Sequence, residues 1–268
     1  MSSAAPARAQ PAYLPPFRQS NAQRAAFALL AAYALYAAAQ FDLTWARFVI
    51  GLNNGARFLG RMFPPSFENW EPLLKGMLES LEIAVLASVI GIALSLPLGL
   101  LSARNLMPYW VTWPARSLVA LCRALHPVIV AILFVKAVGF GALAGILALV
   151  VASVGFIGKL FAEAIEEISL KQVEAVRATG ASFANVITYG VLPQVFSRFV
   201  GFGTYQFDSN LRNSTMVGIV GAGGIGATLF SAFQRFDYDF VCAILLTIIA
   251  VIVVGETLTN VLKKVFRA

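Results

Sequence analysis

The chain has 268 residues, of which 59% are hydrophobic and only 12% are charged. Soluble domains are about half apolar and about a quarter charged, so this composition excludes an ordinary soluble protein. The formal net charge of +7 does not indicate nucleic-acid binding, because many basic residues flank apolar runs instead of forming one patch. Cys122 and Cys242 both fall within predicted spans, which argues against a disulfide framework.

Long apolar runs follow a polar N-terminus. Residues 1–24 are rich in Ala, Pro, Ser and Gln and are predicted to form a disordered cytoplasmic tail. Residues 25–268 are predicted to form a single all-α domain, a polytopic transmembrane helical bundle, because the apolar runs provide about six spans of roughly 20 residues. The predicted spans are 25–41, 80–101, 117–138, 142–161, 195–220 and 240–262.

Lys and Arg are distributed unevenly over the segments between these spans. If the N-terminus is placed inside, the inside segments hold Arg8, Arg18, Arg24, Arg104, Arg116, Lys159, Lys171, Arg177, Arg198, Lys263, Lys264 and Arg267. The outside segments hold only Arg47, Arg57, Arg61, Lys75 and Arg235. Because basic residues concentrate in cytoplasmic loops, both termini are expected in the cytoplasm.

Two of the segments between spans are predicted to contain helices of their own. The outside segment 42–77 combines aromatic residues with Arg57, Arg61 and two prolines, which predicts an interfacial helix followed by a turn. The inside segment 163–193 carries charged residues at amphipathic spacing. It is predicted to form short helices near the membrane surface.

A spaced motif occupies this inside segment. It runs Glu-Ala-Val-Arg-Ala-Thr-Gly from Glu174 to Gly180, then nine residues, then Gly190 and Val-Leu-Pro. A glycine between two short helices allows a sharp turn, and Pro193 suits the first turn of the following span. Residues 163–193 are therefore predicted to form a compact elbow that could fit a cleft of a soluble partner. The alternative is an ordinary solvated loop between spans.

The motif resembles the cytoplasmic signature of bacterial ABC importer permeases, which consists of E-A-A, three residues, G, nine residues and I-x-L-P. The residues that match it are Glu174, Ala175, Gly180, Leu192 and Pro193. Val176 replaces the second Ala and Gly190 replaces the usual Ile, but the spacing is intact. The resemblance implies that the matching residues couple the membrane domain to an ATPase.

Four stretches together resemble the phosphonate-importer permease family, namely 158–168, 174–180, 189–194 and 218–226. The resemblance implies a type I importer fold in a bacterial inner membrane, with translocation of phosphonate or a related oxyanion by alternating access. It also implies two permease copies, most simply a homodimer, with two cytoplasmic ATPase subunits and an extracytoplasmic solute-binding protein. Val128 follows Pro127 where the family commonly carries an acidic residue, so phosphonate, phosphite and related oxyanions all remain open.

A polar stripe runs along the predicted fifth span. At about 100° per residue, one third of its circumference carries Gln194, Arg198, Gly201, Tyr205, Asp208, Ser209 and Arg212. Ionisable groups inside a span usually face the bundle interior or a water-filled cavity. The stripe residues assigned to a translocation pathway are Arg198, Tyr205, Asp208, Ser209 and Arg212. The alternative for Asp208 and Arg212 is a structural pair that only locks helices together.

A glycine-rich stretch lies at the outer end of this span, with Gly221, Gly223, Gly224 and Gly226. It matches the dinucleotide fingerprint G-x-G-x-x-G, but that fingerprint requires a βαβ unit. A tight turn with close backbone packing is therefore expected. His126 is the only histidine, and no nucleophile, base or metal-ligand cluster accompanies it. No catalytic residue, metal site or cofactor is predicted.

Two classes of function remain after these observations. The leading hypothesis is a transport subunit that is not an enzyme, since the chain has no G-x-x-x-x-G-K-[ST] sequence. Within transport, a permease for another small solute such as an amino acid is the alternative, because related permeases share the elbow and the glycine turn. A membrane-embedded enzyme would need a polar cluster at one depth, which one histidine and two separated cysteines do not supply.

Overall fold

A computed structural model describes residues 21–40 and 44–267 of the chain. Most of the predicted N-terminal tail, residues 1–20, lies outside this description. Within it, every regular element is helical, which confirms the all-α fold class. The chain divides into two compact units, one ending at Leu59 and the other beginning at Gly60.

The first unit contains α1, Asn21–Gln40, and most of α2, Trp45–Met62. Helix α1 is long enough and apolar enough to cross a membrane. It begins four residues before the predicted first span. In α2, arginines including Arg47 and Arg57 alternate with aromatic and aliphatic side chains. This composition fits the interfacial helix predicted for segment 42–77.

The second unit contains nine further α-helices and one π-helical turn among the described residues. They are α3 (Trp70–Ser102), α4 (Tyr109–Ala124), α5 (Pro127–Val138), α6 (Ala142–Glu166), α7 (Leu170–Ala178), the single-turn α8 (Phe183–Asn185), the π-helical turn (Val186–Val191), α9 (Leu192–Ile219), α10 (Ile225–Gln234) and α11 (Tyr238–Arg267).

Four described helices are long and apolar enough to cross a membrane on their own, namely α1, α3, α6 and α11. Helices α4 and α5 meet this requirement only as a pair, and they are bent by 91° relative to each other. Helix α9 has 28 residues, which suffices for a span of about 20. Arg198, Asp208 and Arg212 lie along it among many uncharged polar residues, so it is less apolar than the other four helices.

The predicted third span over 117–138 is not one continuous helix. Helix α4 ends at Ala124 and α5 begins at Pro127. Proline lacks a backbone N–H and disfavours a helical conformation at the residue before it, which favours a break here, although α3 and α4 continue through Pro97 and Pro114. His126 caps the new helix, since its Nδ1 accepts a hydrogen bond from the N–H of Val128 at 3.3 Å.

Helix α6 lies at the centre of the second unit, where it contacts α3, α4, α5 and α9. Two glycines of α3 face it. A Cβ at Gly91 would lie 2.4 Å from Cβ of Ser153, and one at Gly99 would lie 2.6 Å from Cβ of Phe161. Small residues let helices approach closely in a membrane, where packing contributes much of the association energy. The α3–α6 contact therefore depends on these two glycines.

Candidate functional site

The elbow follows the C-terminal end of α6. Helix α6 ends at Glu166 and is followed by α7, α8 and the π-helical turn, which leads directly into α9. Val173 of α7 and Val186 and Val191 of the π-helical turn are buried in one hydrophobic cluster. The elbow is thus packed against the end of α6 through a core that also contains Ala164 and Ile165, and Pro193 lies in the first turn of α9.

Gly180 forms the turn between α7 and α8. Its φ is +77°, in the left-handed region that favours glycine. A Cβ at this position would meet no atom within 4 Å, so the backbone conformation, not lack of space, requires glycine. At Gly190, by contrast, a Cβ would lie 3.4 Å from Cα of Val173, which shows how closely the π-helical turn packs on α7.

Gln194 connects the two ends of the elbow. Its Oε1 accepts a hydrogen bond from the N–H of Ser169 at 2.9 Å. Its Nε2 donates to the carbonyl oxygen of Gly190 at 2.6 Å. Ser169 immediately precedes α7 and Gln194 lies in the first turn of α9. One side chain therefore holds the entry and the exit of the elbow together.

The signature residues lie on the outer surface of the elbow. All five signature residues are exposed in the single chain, namely Glu174, Ala175, Gly180, Leu192 and Pro193. Because the core of the elbow is formed by other residues, these positions are available to contact another protein.

Two ion pairs fix the end of α6 to its neighbours. Oε1 of Glu166 accepts a hydrogen bond from Nη2 of Arg116 on α4 at 2.5 Å. Oε2 of Glu167, just beyond α6, accepts one from Nη1 of Arg198 on α9 at 2.5 Å. The carboxyl groups at the end of α6 thus connect α4, α6 and α9 beside the elbow.

The residues assigned to a translocation pathway do not form one cluster. Arg198 pairs with Glu167 beside the elbow. It lies roughly 21 Å from Arg212 along α9, at 1.5 Å per residue. Between them, the ring of Tyr205 lies 5.6 Å from the ring of Phe156 on α6, measured between centroids. Oγ of Ser209 accepts a hydrogen bond from Nδ2 of Asn213 at 3.3 Å.

Asp208 and Arg212 form an ion pair on adjacent turns of α9. The Asp208 side chain is only 11% exposed, whereas the Arg212 side chain is 48% exposed. Oδ2 of Asp208 accepts from the guanidinium, and its Oδ1 is buried without a hydrogen-bond partner among the described residues. A half-exposed arginine side chain paired with one buried carboxylate oxygen has donors left for an oxyanion ligand.

A buried polar cluster, which was not predicted from the sequence, joins α9 to α3 and α6. We call it the amide cluster; its members are Ser88, Ser153, Gln206 and Asn210, all buried. Nδ2 of Asn210 donates to both serine hydroxyls at 3.0 Å. Nε2 of Gln206 donates to Ser153 Oγ and to Asn210 Oδ1 at 2.9 Å. The four-residue spacing of the two amides was the available sequence signal, but their serine partners lie on other helices.

The glycine turn between α9 and α10 is tightly packed. Gly221, Gly223 and Gly224 have positive φ values of +92°, +80° and +76°. A Cβ at Gly226 would lie 2.0 Å from the carbonyl oxygen of Thr215. The helix end and the start of the next helix thus approach as closely as their backbones permit. The flanking elements are both helices, so the βαβ context of a dinucleotide site is not present here.

The glycine turn is also attached to α3 and α6. Oγ of Ser80 on α3 accepts a hydrogen bond from the N–H of Ile225, the first residue of α10, at 2.9 Å. The N–H of Gly141, just before α6, donates to the carbonyl oxygen of Gly221 at 3.1 Å. Side-chain and backbone groups from two other helices therefore satisfy polar groups that a helix terminus leaves free.

Comparison with known proteins identifies the family to which this sequence is similar. Residues 95–268 match the family described as binding-protein-dependent transport system inner membrane component. The chain is 39% identical over 218 residues to the phosphite transport system permease protein PtxC of Stutzerimonas stutzeri, covering 81% of this chain and 79% of that protein. It is 40% identical over 206 residues to the phosphate-import permease protein PhnE of Mycolicibacterium smegmatis, covering 76% of this chain and 39% of that longer protein.

A solved structure shares the fold. The membrane subunit in an inward-facing structure of the MetNI methionine ABC transporter superposes with a TM-score of 0.64 at 22% identity. The match covers 73% of this chain and 98% of that chain. At this identity the likeness concerns the fold alone, whereas the family match extends over more than half of the sequence. The chain therefore belongs to the binding-protein-dependent transport system inner membrane component family.

Proposed function

We propose that the chain is the membrane-spanning permease subunit of an ATP-driven importer, which translocates phosphite, phosphonate or a related oxyanion by alternating access. The observation that carries this proposal is the 39% identity to a phosphite transport permease over 81% of the chain. In this role the chain forms the pathway, and a separate ATPase supplies the energy. The chain itself then catalyses no reaction.

The elbow supports the assignment of an ATPase partner. Its buried valines pack in one cluster with the end of α6, and Gln194 joins its two ends. A rigid element with exposed signature residues can transmit the movement of a soluble subunit to α9, which follows without an interruption. Glu174, Ala175, Gly180, Leu192 and Pro193 are the positions that we assign to this contact.

The ion pair on α9 supports an oxyanion as the solute. The guanidinium of Arg212 can donate paired hydrogen bonds to two oxygens of phosphite or phosphonate. Asp208 limits the net charge at this point, so that a bound anion can also leave. We assign Asp208 and Arg212 to the pathway, with Tyr205 and Ser209 on neighbouring turns of the same helix. We assign Arg198 to the pathway as well, at the end of α9 next to the elbow.

The further parts of the assembly follow from the same role. A single chain supplies the helices of one half of a two-fold pathway, so we assign a second permease copy, most simply an identical one. Two cytoplasmic ATPase subunits and an extracytoplasmic solute-binding protein complete the importer. Both termini then lie in the cytoplasm, on the side favoured by the Lys and Arg distribution.

Uptake by a reconstituted importer tests the proposal. Proteoliposomes would contain the chain, its ATPase and its solute-binding protein, with ATP enclosed on the ATPase side. We expect ATP-dependent accumulation of radiolabelled phosphite or methylphosphonate, and competition by the unlabelled anion. Matched vesicles with a hydrolysis-deficient ATPase serve as the control. Accumulation of methionine without any oxyanion would contradict the proposal and favour the amino-acid alternative.

A further inference from the structure

A second cationic site lies away from the α9 ion pair, in a pocket of about 490 Å³ between the end of α3, α4 and α6. Its charged and polar lining consists of Ser102, Arg104, Arg116, Arg123, Lys159 and Glu163. None of these residues belongs to α9 or to the elbow signature. The pocket is therefore distinct from the proposed translocation pathway.

Helix geometry places the cations on one wall. Arg116 and Arg123 are seven residues apart, two turns along the same face of α4. Helix α6 supplies Lys159 one turn before Glu163. A Cβ at Gly155 of α6 would lie 2.7 Å from the backbone nitrogen of Arg123, so the two helices are in close contact at this level. The positions of these cationic residues are thus fixed by the packing of the two helix backbones and not only by the conformations of their flexible side chains.

The pocket carries more positive than negative charge. Lys159 lies 3.4 Å from the carboxylate of Glu163, and Arg116 pairs with Glu166 at its edge. Within residues 21–40 and 44–267, the side chains of Arg104 and Arg123 pair with no carboxylate. Four cations against two carboxylates leave a formal charge of +2, which favours an anionic ligand.

Ser102 provides a hydrogen-bond donor without a partner. The residue is 1% exposed, and its Oγ has no hydrogen-bond partner among the described residues. Its carbonyl oxygen accepts a hydrogen bond from Nε of Arg116 at 2.8 Å, so the guanidinium beside it is held in place. A buried hydroxyl normally has a partner, and a ligand oxygen in the pocket would supply one.

We propose that this pocket binds the phosphate group of an anionic ligand, with Arg104 and Arg123 neutralising its charge and Ser102 and Arg116 donating hydrogen bonds. Two sources share this chemistry, namely the headgroup of an anionic phospholipid and free phosphate. Basic pockets between membrane helices bind lipid headgroups in other proteins. The proposal does not depend on the transported solute, because the pocket and Arg212 involve different helices.

Binding to the full chain in phosphatidylcholine nanodiscs tests the proposal in two arms. Native mass spectrometry measures retained phosphatidylglycerol as its fraction in the disc is raised, and equilibrium dialysis measures radiolabelled inorganic phosphate. We expect one equivalent of ligand to bind saturably per chain in one of the two arms. The arm that shows this binding identifies the ligand as phospholipid or as free phosphate. The double variant Arg104→Gln/Arg123→Gln should weaken it by about tenfold or more, since it removes two charge-assisted partners.

Ser102→Ala separates binding from folding. The variant removes a buried hydroxyl that has no partner in the described structure, so the melting temperature of the ligand-free protein should not fall. Its affinity should nevertheless decrease by about threefold or more. The exposed pair Lys136→Gln/Arg235→Gln removes the same charge elsewhere and should leave affinity unchanged. The proposal is overturned by the absence of saturable binding in both arms, by full affinity in both pocket variants, or by an equal loss in the control.

Discussion

At the scale of single residues, the unequal burial of Asp208 and Arg212 determines what each can do. The Asp208 side chain is almost fully buried, whereas about half of the Arg212 side chain is accessible. Burying one charge of a pair is unfavourable unless the other remains nearby. The buried charge of Asp208 therefore needs Arg212 as its partner. The exposed part of Arg212 is in contact with solvent and does not rely on Asp208 alone. Substitutions at the two positions should consequently have unequal effects.

We expect Arg212→Met to reduce oxyanion uptake by about tenfold or more, because a charge-assisted hydrogen bond contributes roughly 1.5–3 kcal/mol and about 1.4 kcal/mol corresponds to tenfold. Arg212→Lys should retain part of the uptake, since the charge remains without the fork of donors. Radiolabelled uptake in the reconstituted importer measures both variants. Co-purification of the ATPase confirms that each variant still assembles.

The double variant Asp208→Asn/Arg212→Met distinguishes a pathway role from a purely structural pair. It leaves no unpaired charge in the helix, so assembly should be normal. If the guanidinium contacts the solute, uptake should stay low in this variant. Restored uptake would show that the two residues only lock helices together.

The same helix shows how far single residues could be predicted. The polar stripe was visible in the sequence because Asp208 and Arg212 stand one turn apart among apolar residues. Asn210 lay beside that stripe, and its importance was missed. Its hydrogen bonds go to Ser88 and Ser153 on two other helices, and the packing of α3 and α6 that brings them together is a tertiary property. Interhelical hydrogen bonds of this kind contribute about 0.6 kcal/mol each on average.

At the scale of elements, the elbow turns at Gly180 because of its backbone conformation. We expect Gly180→Val to leave the protein folded in the membrane but to abolish solute-stimulated ATPase activity. A left-handed conformation costs a non-glycine residue roughly 1–2 kcal/mol, and the turn would change its angle to avoid it. Gly180→Asn should preserve much of the stimulation, since asparagine tolerates this region better. ATPase assays on the assembled importer provide the measurement.

The neighbouring substitution Ala178→Val is the matched control. Position 178 is exposed at the end of α7 and has no positive φ, so a valine there should leave stimulation near the level of the unmodified protein. Normal stimulation with Gly180→Val would contradict the assignment of the elbow to coupling.

Sequence periodicity predicted helices better than it predicted their breaks. The apolar runs of α3, α6 and α11 were all located from hydropathy, because each is one uninterrupted helix. The run 117–138 was equally apolar, yet it bends by 91° around His126 and Pro127. Hydropathy averages over a window and does not register a missing N–H, so the local signal of the proline was outweighed by the composition around it.

At the scale of the whole molecule, the bent pair α4–α5 decides the topology. If it crosses the membrane as a broken span, Tyr109 and Phe140 lie on opposite sides; if it forms a re-entrant loop, they lie on the same side. The concentration of Lys and Arg around α4 and the elbow favours a crossing. We expect a cysteine at position 109 to react from the cytoplasmic side, and cysteines at positions 63 and 140 to react from the outside.

A membrane-impermeant thiol reagent, applied to intact cells and to inverted vesicles, measures this accessibility. Phe63, Tyr109 and Phe140 are 64%, 77% and 85% exposed, so each site is open to the reagent. Cys122 and Cys242 would first be replaced by alanine. Labelling of positions 109 and 140 from the same side would contradict a crossing by α4 and α5.

The family could be identified from the sequence alone, because its signature combines residue type with spacing over twenty positions, 174–193. The pocket between α3, α4 and α6 could not be predicted in the same way. Its residues come from three separate segments, and Ser102, Arg116 and Lys159 are individually unremarkable at the ends of apolar runs. Their convergence depends on the close approach at Gly155, which requires the packed structure.

The contact between Gly226 and Thr215 has a mechanical consequence. Because no atom larger than hydrogen fits between them, we expect the end of α9 and the start of α10 to move together. At its other end, α9 follows the π-helical turn directly, so one helix of about 42 Å joins the elbow to this contact. Spin labels on α9 and α10 should then keep a constant separation through the transport cycle, while distances from α9 to helices outside this pair change.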